Sequence, residues 1–383
     1  MKVLYIGHTY SIKANQDKIS ALAEHPDLQL LLLTPSEWKG PLYDHKSDVY
    51  PESDRVEHRA LPALFTGKES LYIFRQGLRK IVKDFQPDIL HVEQGTYAAV
   101  FGQAILACSH AAPNAKATFF TWWNLPTPIR GVKKVLEHFN LRRSACAIAG
   151  NHDAKTLLEG KGFDRPIFVM PQIGVSLSDY AQPADTALRE QLRLKKFVVG
   201  YIGRIAEEKG IADLVASMAG RRDWSLLTVG SGPIEYRLSP MAERYDVDLK
   251  HIPSVRNEEI PKYLKLLDAL VLPSRKTPLW MEQFGHILIE AMAAGIPVIG
   301  ARTGEIPNVI GDAGLLVSPE SPNEIRSALE EVASDPGTRS SLAAKGLDRV
   351  TKLYTHRQIA NQQIDVYEWM MKEGMSVQQL ASR

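Results

Sequence analysis

The chain has 383 residues, and its 46 Lys plus Arg against 44 Asp plus Glu leave a formal net charge of only +2. That length suits two domains with sizeable cores, and the near balance of charge provides no broad basic field for nucleic acid. The two cysteines, Cys108 and Cys146, form neither a CxxC nor a metal-ligand spacing, so a reduced, cytoplasmic setting is expected.

The N-terminus MKVLYIGHTY turns polar too soon for a signal peptide, and no apolar run reaches membrane-span length. Any membrane contact is therefore expected to be peripheral. Strand-like runs follow at VLYIG (3–7), LQLLLLT (28–34), DILHVE (88–93), ATFFTWW (117–123) and CAIAG (146–150), with helices expected over 72–85 and 132–145. The polar stretch 175–194, which contains Pro183, reads as a linker and puts a domain boundary near residue 178. The pattern then restarts with FVVGYIG (197–203), SLLTVG (225–230), VDLKHI (247–252), ALVLPS (269–274), IPVIGA (296–301) and AGLLV (313–317). This alternation predicts an α/β chain of two Rossmann-like domains, 1–178 and 179–355, facing across a cleft. Ligands of such sheets bind beyond the carboxyl ends of the strands. His8, Glu93, Trp122, Trp123, Arg204, Gly230 and Ser274 are accordingly expected to line that cleft.

One carboxylate stands out. The run ILIEAMAA (287–294) is apolar on every side of a helical period, yet Glu290 sits in its middle. A buried, unpaired carboxylate is costly, so either an internal Arg or backbone partner or a polar ligand must satisfy it. If the helix starts near Gly285 or His286, Glu290 lies roughly 6 Å along its axis. A phosphate at the helix start and a sugar hydroxyl on Glu290 fit that spacing. Glu282, eight residues earlier, falls in the loop before the helix. Arg204 and Lys209 flank the turn after FVVGYIG and would make a diphosphate-binding pair, unless Glu207 and Glu208 neutralise both. Gly230 and Ser231 end another strand, where a glycine allows close approach of a ligand to the backbone. Thr303 opens the loop after IPVIGA, as a ligand contact or as a helix N-cap.

GRIAEEKG, VGSGP, LPSR and EQFGHILIEAMAAGIPVIGARTGEIPNVI, in this order and spacing, resemble the family-4 retaining glycosyltransferases of GT-B fold. The resemblance is carried by residues 197–318, extends more loosely over 86–175 and fades before residue 60. It implies a UDP- or GDP-type nucleotide-sugar donor held mainly by the second domain. It further implies that Arg204 and Lys209 neutralise the diphosphate, Glu290 binds the ribose hydroxyls and Glu282 orients the transferred sugar. Phe284 and Gly285, with His286 beside them, would offer amides to sugar and phosphate. A last helix, about 356–383, would cross back onto the first domain.

The departures lie in the first domain. Where relatives carry a glycine pair after the first strand, this chain has Gly7-His8-Thr9-Tyr10, and where they carry a histidine it has Trp122-Trp123-Asn124. His8 or Asn124 is expected to take over polar contacts to the acceptor, and an aromatic strand end suits a sugar ring.

No Asp-x-Asp motif appears near the site, so metal independence and the absence of any cofactor are expected. Retention is expected by front-face attack, with charge on the leaving diphosphate stabilised by Arg204, Lys209 and the helix N-terminus. The acceptor is expected to be a glycan, a lipid-linked molecule or a small molecule, in surface polysaccharide or glycoconjugate synthesis. A GT-B epimerase or hydrolase and a noncatalytic donor-binding subunit are the alternatives, whereas a Rossmann dehydrogenase is disfavoured because no G-x-G-x-x-G follows either first strand. Residues 130–143, RGVKKVLEHFNLRR, carry five Arg and Lys against Glu137 and form the candidate surface for anionic lipid.

Overall fold

The computed structural model describes residues 1–40, 44–51 and 54–381. They form two compact units, one of Met1–Ile173 with His356–Arg383 and one of Gly174–Thr355. Residues 382 and 383 of the expected last helix lie outside the described residues.

In the first unit the strands are β1 (Lys2–Ile6), β2 (Gln29–Pro35), β3 (Glu37–Lys39), β4 (Asp44–Lys46), β5 (Val56–Leu61), β6 (Ala63–Leu64), β7 (Ile73–Phe74), β8 (Ile89–Val92), β9 (Lys116–Thr121), β10 (Ser144–Ala149) and β11 (Ile167–Val169). Seven of them form one sheet in the order β11-β10-β9-β8-β1-β2-β5, with every pairing parallel. β3–β4 and β6–β7 are small antiparallel hairpins. Val3, Leu4, Tyr5 and Ile6 are all fully buried, as expected for a central strand with helices on both faces.

The helix His356–Glu373 packs on the helix Asp17–Ala23 and adds Ile359, Ala360, Ile364, Tyr367 and Met370 to the core formed with Val3 and Tyr5. Tyr367 bonds His91 Nδ1 through its hydroxyl at 2.8 Å. Lys116 Nζ donates to the carbonyls of Met370 and Met371 at 2.6 and 2.7 Å, satisfying acceptors that a helix end leaves unpaired.

The second unit contains β12 (Phe197–Ile202), β13 (Trp224–Val229), β14 (Asp248–Ile252), β15 (Ala269–Leu272), β16 (Val298–Ala301) and β17 (Gly314–Val317), ordered β14-β13-β12-β15-β16-β17 and again wholly parallel. The turn after β12 therefore lies beside the loop after β15, which brings residues 204–209 next to residues 273–282.

Several sequence expectations change. The helix expected over 72–85 begins only at Leu78, because Gly77 takes a left-handed φ of 88° and Ile73–Phe74 pair as a strand. β9 stops at Thr121, so Trp122 and Trp123 lie beyond the strand end. The stretch read as a linker holds a 3-10 turn, Leu177–Tyr180, with Tyr180 buried, and a short helix, Thr186–Gln191. The helix carrying Glu290, His286–Ala293, is not buried all round. His286, Ile287 and Glu290 are half-buried and form one open stripe, while Leu288, Ile289 and Ala291 to Ala293 are buried.

Candidate active site

In the second unit, four expected residues, Arg204, Lys209, Ser274 and Glu282, lie in two adjacent loops. Gly210, with φ of 69°, closes the turn after Lys209, and a Cβ there would stand 2.0 Å from the Pro273 carbonyl oxygen. That close approach brings Lys209 to the β15 loop, where its Nζ donates to Glu282 Oε2 at 2.7 Å. The same carboxylate oxygen accepts from Ser274 Oγ at 2.9 Å. Both partners of the pair are largely buried, with side-chain exposures of 18% for Lys209 and 9% for Glu282.

The local acids do not neutralise both cations. Glu208 pairs with Arg204, but Glu207 turns to Arg237. Arg204 remains 54% exposed. Arg275 fixes the base of the arrangement, donating to both carboxylate oxygens of Asp213 at 2.8 and 2.6 Å and through its backbone N–H to the Glu208 carbonyl at 2.8 Å.

Glu290 lies one turn into its helix on the open stripe, directly above His286. Among the described residues its carboxylate makes no hydrogen bond or ion pair, so the internal Glu–Arg or backbone partner considered from the sequence is absent. Burial pushes its carboxyl up to about 7. Tyr180 lies nearby, its hydroxyl driven above the ordinary value first by burial and then by the Glu290 charge. The helix is entered through Gly285, whose φ of 82° is left-handed, and a Cβ at that position would meet Leu272 Cδ2 at 2.8 Å. Phe284 is buried, 4.8 Å from the His286 ring and edge-on to Tyr354 at 5.7 Å.

Two expectations acquire different physical reasons. Gly230 and Gly232 are required by the neighbouring turn, since Cβ atoms there would lie 2.0 Å from Gly203 O and 2.2 Å from Ile205 O. Ser231 accepts the Ser254 N–H at 3.1 Å through its Oγ. Thr303 is not an N-cap. The next helix, Ile306–Ile310, starts after Glu305 without a side-chain cap, and the buried Thr303 Oγ1 has no hydrogen-bond partner among the described residues.

In the first unit, Glu93 is the hub of a buried network. It accepts from Lys18 Nζ at 2.9 Å, from the Tyr10 hydroxyl at 2.8 Å, and from Tyr5 and Gln172. Burial opposes its ionisation, but Lys18, His91 and those donors outweigh it and hold the carboxyl below the usual range. Gln172 also accepts Trp122 Nε1–H at 2.9 Å, and the Trp122 ring fills the space above Gly150. Trp123 is exposed and Asn124 buried. His8 stacks on Trp38 with ring centroids 4.3 Å apart and bonds Gln94 through Nδ1. Burial pushes its imidazole down to about 4, so it is neutral at physiological pH.

Lys18, Gln94, Gln172 and Trp280 escaped the sequence reading. Trp280, two residues before Glu282, had a positional signal. Lys18 had none, because DKISALA reads as an ordinary amphipathic helix with a solvated lysine.

Comparison with known proteins bears on the fold and on the second unit. An uncharacterized glycosyltransferase of Methanocaldococcus jannaschii is 29% identical over 181 residues, 45% of each chain. A 2-deoxystreptamine glucosyltransferase of Streptomyces kanamyceticus is 29% identical over 222 residues, 52% of this chain and 54% of that one. The chain thus spans about half the length of the curated relatives it matches. Sucrose-phosphate synthase of Thermosynechococcus elongatus superposes over 97% of this chain and 99% of its own, with TM-score 0.69 and 21% identity. HepE of Anabaena in complex with UDP covers 96% of this chain and 100% of its own, with TM-score 0.70 and 16% identity. These structural likenesses carry the fold, two Rossmann-like α/β units of the GT-B class. Residues 185–349 match the family described as Glycosyl transferases group 1. That span contains Arg204, Lys209, Glu282 and Glu290 alike, so all four lie in the segment that is similar to the glycosyl transferases group 1 family.

Proposed function

We propose that this protein is a retaining, metal-independent glycosyltransferase of family 4. It moves a sugar from a UDP- or GDP-type nucleotide-sugar to a glycan, lipid-linked or small-molecule acceptor in surface polysaccharide or glycoconjugate synthesis. The observation that carries the reading is Glu290, a half-buried carboxylate without an internal partner, on the same open stripe as the helix start and in the same family segment as the Lys209–Glu282 pair. A ribose hydroxyl would satisfy Glu290, and a diphosphate would meet Lys209 and Arg204. HepE, solved with UDP and with UDP-glucose, supports this class of donor.

Front-face transfer is the mechanism we favour. The bond between anomeric carbon and phosphate oxygen breaks, the acceptor oxygen bonds that carbon on the same face, and the acceptor proton passes to the leaving phosphate. Glu282 is held by Lys209 and Ser274, which suits a residue that orients the sugar better than a carboxylate nucleophile. Arg204, Lys209 and the helix N-terminus stabilise the charge that builds on the diphosphate. On the acceptor side, His8, Trp122, Trp123 and Asn124 are retained as contacts, whereas Glu93, with its donors already in place, is reassigned to holding the first unit together.

Arg204→Ala or Lys209→Ala is expected to weaken nucleoside diphosphate binding at least tenfold, as two charge-assisted bonds require, and to leave nucleoside binding nearly unchanged. Calorimetric titration of both ligands checks this, and equal losses would remove the donor-site assignment.

We further propose that the protein acts in the cytoplasm and touches the membrane through residues 130–143. Among the described residues no helix is long and apolar enough to cross a membrane. Val132 and Val135 are exposed at 82% and 71% in the helix Val132–Arg142. Glu137, the one acid of the segment, turns inward to Thr96 and Lys161, so the outer face is apolar and basic. Co-sedimentation with anionic vesicles but not with neutral ones is the expected result, and binding without dependence on lipid charge would exclude this surface.

A further inference from the structure

The loop between β15 and the Glu290 helix contains a tight turn. Thr277 N–H donates to the Trp280 carbonyl at 2.8 Å, Trp280 N–H returns to the Thr277 carbonyl at 3.4 Å, and Leu279 N–H donates to Thr277 Oγ1 at 3.3 Å. One end of the loop is tied down by the Arg275–Asp213 pair and the other by Glu282, whose carbonyl accepts the Glu305 N–H at 3.3 Å. The turn is thus fixed at both ends, and it presents the half-buried Trp280 ring to Lys209 Nζ at 4.6 Å from the ring centroid.

Lys209 consequently has two unlike neighbours, a carboxylate and an aromatic face. A second carboxylate in the place of the ring would also hold the ammonium, but it would compete with an incoming phosphate for the same charge. The ring attracts the cation through its quadrupole and neutralises nothing. It also removes freedom from a four-carbon side chain that would otherwise lose that freedom on binding the ligand. Arg204 differs in both respects, being more exposed and paired with Glu208.

We propose that Trp280 is a positioning residue of the donor site, holding the Lys209 ammonium beside Glu282 with its charge still available to a nucleoside diphosphate. The proposal rests on the donor-site reading given above. It is tested on the full chain by titrating UDP and GDP, and then the nucleoside of whichever binds, into the parent, Trp280→Phe, Trp280→Leu, Lys209→Ala and the Trp280→Leu/Lys209→Ala double variant, with melting temperatures measured alongside. Trp280→Leu should weaken the diphosphate roughly three- to tenfold, the range of a partly desolvated cation–π contact, with the nucleoside unaffected. Trp280→Phe should keep most of the affinity, and Trp280→Leu should add nothing once Lys209 is alanine. If Lys209→Ala weakens binding and Trp280→Leu does not, or if Trp280→Leu costs as much in the Lys209→Ala background, the proposal is overturned while the donor site stands. If Lys209→Ala binds the diphosphate like the parent, or the parent binds neither diphosphate, the donor-site reading fails and takes this proposal with it.

Discussion

Glu290→Gln is expected to make the protein more stable at pH 8 and at the same time a poorer binder of its nucleotide. Burial raises the Glu290 carboxyl to about 7, whereas in the unfolded chain it titrates near 4.3. Between those values the folded state binds the extra proton, so stability falls as pH rises from the unfolded value through the folded one. The cost present at pH 8 is at most about 4 kcal/mol, and less for the part of the side chain that water still reaches. The amide carries no charge to desolvate, so thermal melts of variant and parent should diverge above pH 5 and coincide below pH 4. The nucleotide should behave in the opposite sense. Its affinity for the parent should rise roughly tenfold from pH 6 to pH 8 as the carboxylate forms, and that slope should be missing from the Gln variant. A stability difference that ignores pH would mean that the Glu290 charge is not the cause.

Lys18→Ala is the second large effect, and it concerns the first unit. Lys18 is 1% exposed and donates to Glu93, whose side chain is wholly buried. Removing one member of such a pair leaves an uncompensated buried charge, which costs roughly 3–5 kcal/mol. Replacing both by neutral groups of similar volume, Lys18→Met with Glu93→Gln, should recover much of that loss, because the desolvation penalty then disappears for both. Urea unfolding of the single and double variants measures the difference. Glu93 is held below the usual carboxylate range, so its contribution is complete above the unfolded value and is lost as pH falls through the folded one. A Lys18→Ala protein as stable as the parent would show that the network does not hold the unit together.

Central strands were the easiest part of the fold to read. Strands such as LLLL in β2 and LLTV in β13 are buried on both faces, so their apolar runs are continuous and no helical period competes. β5, VEHRAL, lies at a sheet edge with four of its six residues partly exposed, and its polar alternation hid it. Glu290 was legible because a charge inside an apolar helix is an anomaly on one segment. The Lys209–Glu282 pair was legible only as two members of a motif. Their contact spans 73 positions and depends on β12 lying beside β15, which no local pattern encodes. Glu93 misled for the complementary reason: a strand-end acid looks available until Lys18, Tyr5, Tyr10 and Gln172 are brought to it from four other places in the chain.

The return of the helix His356–Glu373 to the first unit bears on how the polypeptide matures as it leaves the ribosome. Ile359, Ile364, Tyr367 and Met370 belong to the same core as Val3 and Tyr5, yet they are synthesised after the whole of Gly174–Thr355. The second unit is contiguous and can close as soon as it emerges, while the nascent first unit lacks this part of its core until His356–Glu373 has been made. The second unit can thus complete its core before the first, the reverse of the usual N-terminal-first order. During that interval the unfinished core is a natural target for chaperones that bind exposed apolar surface.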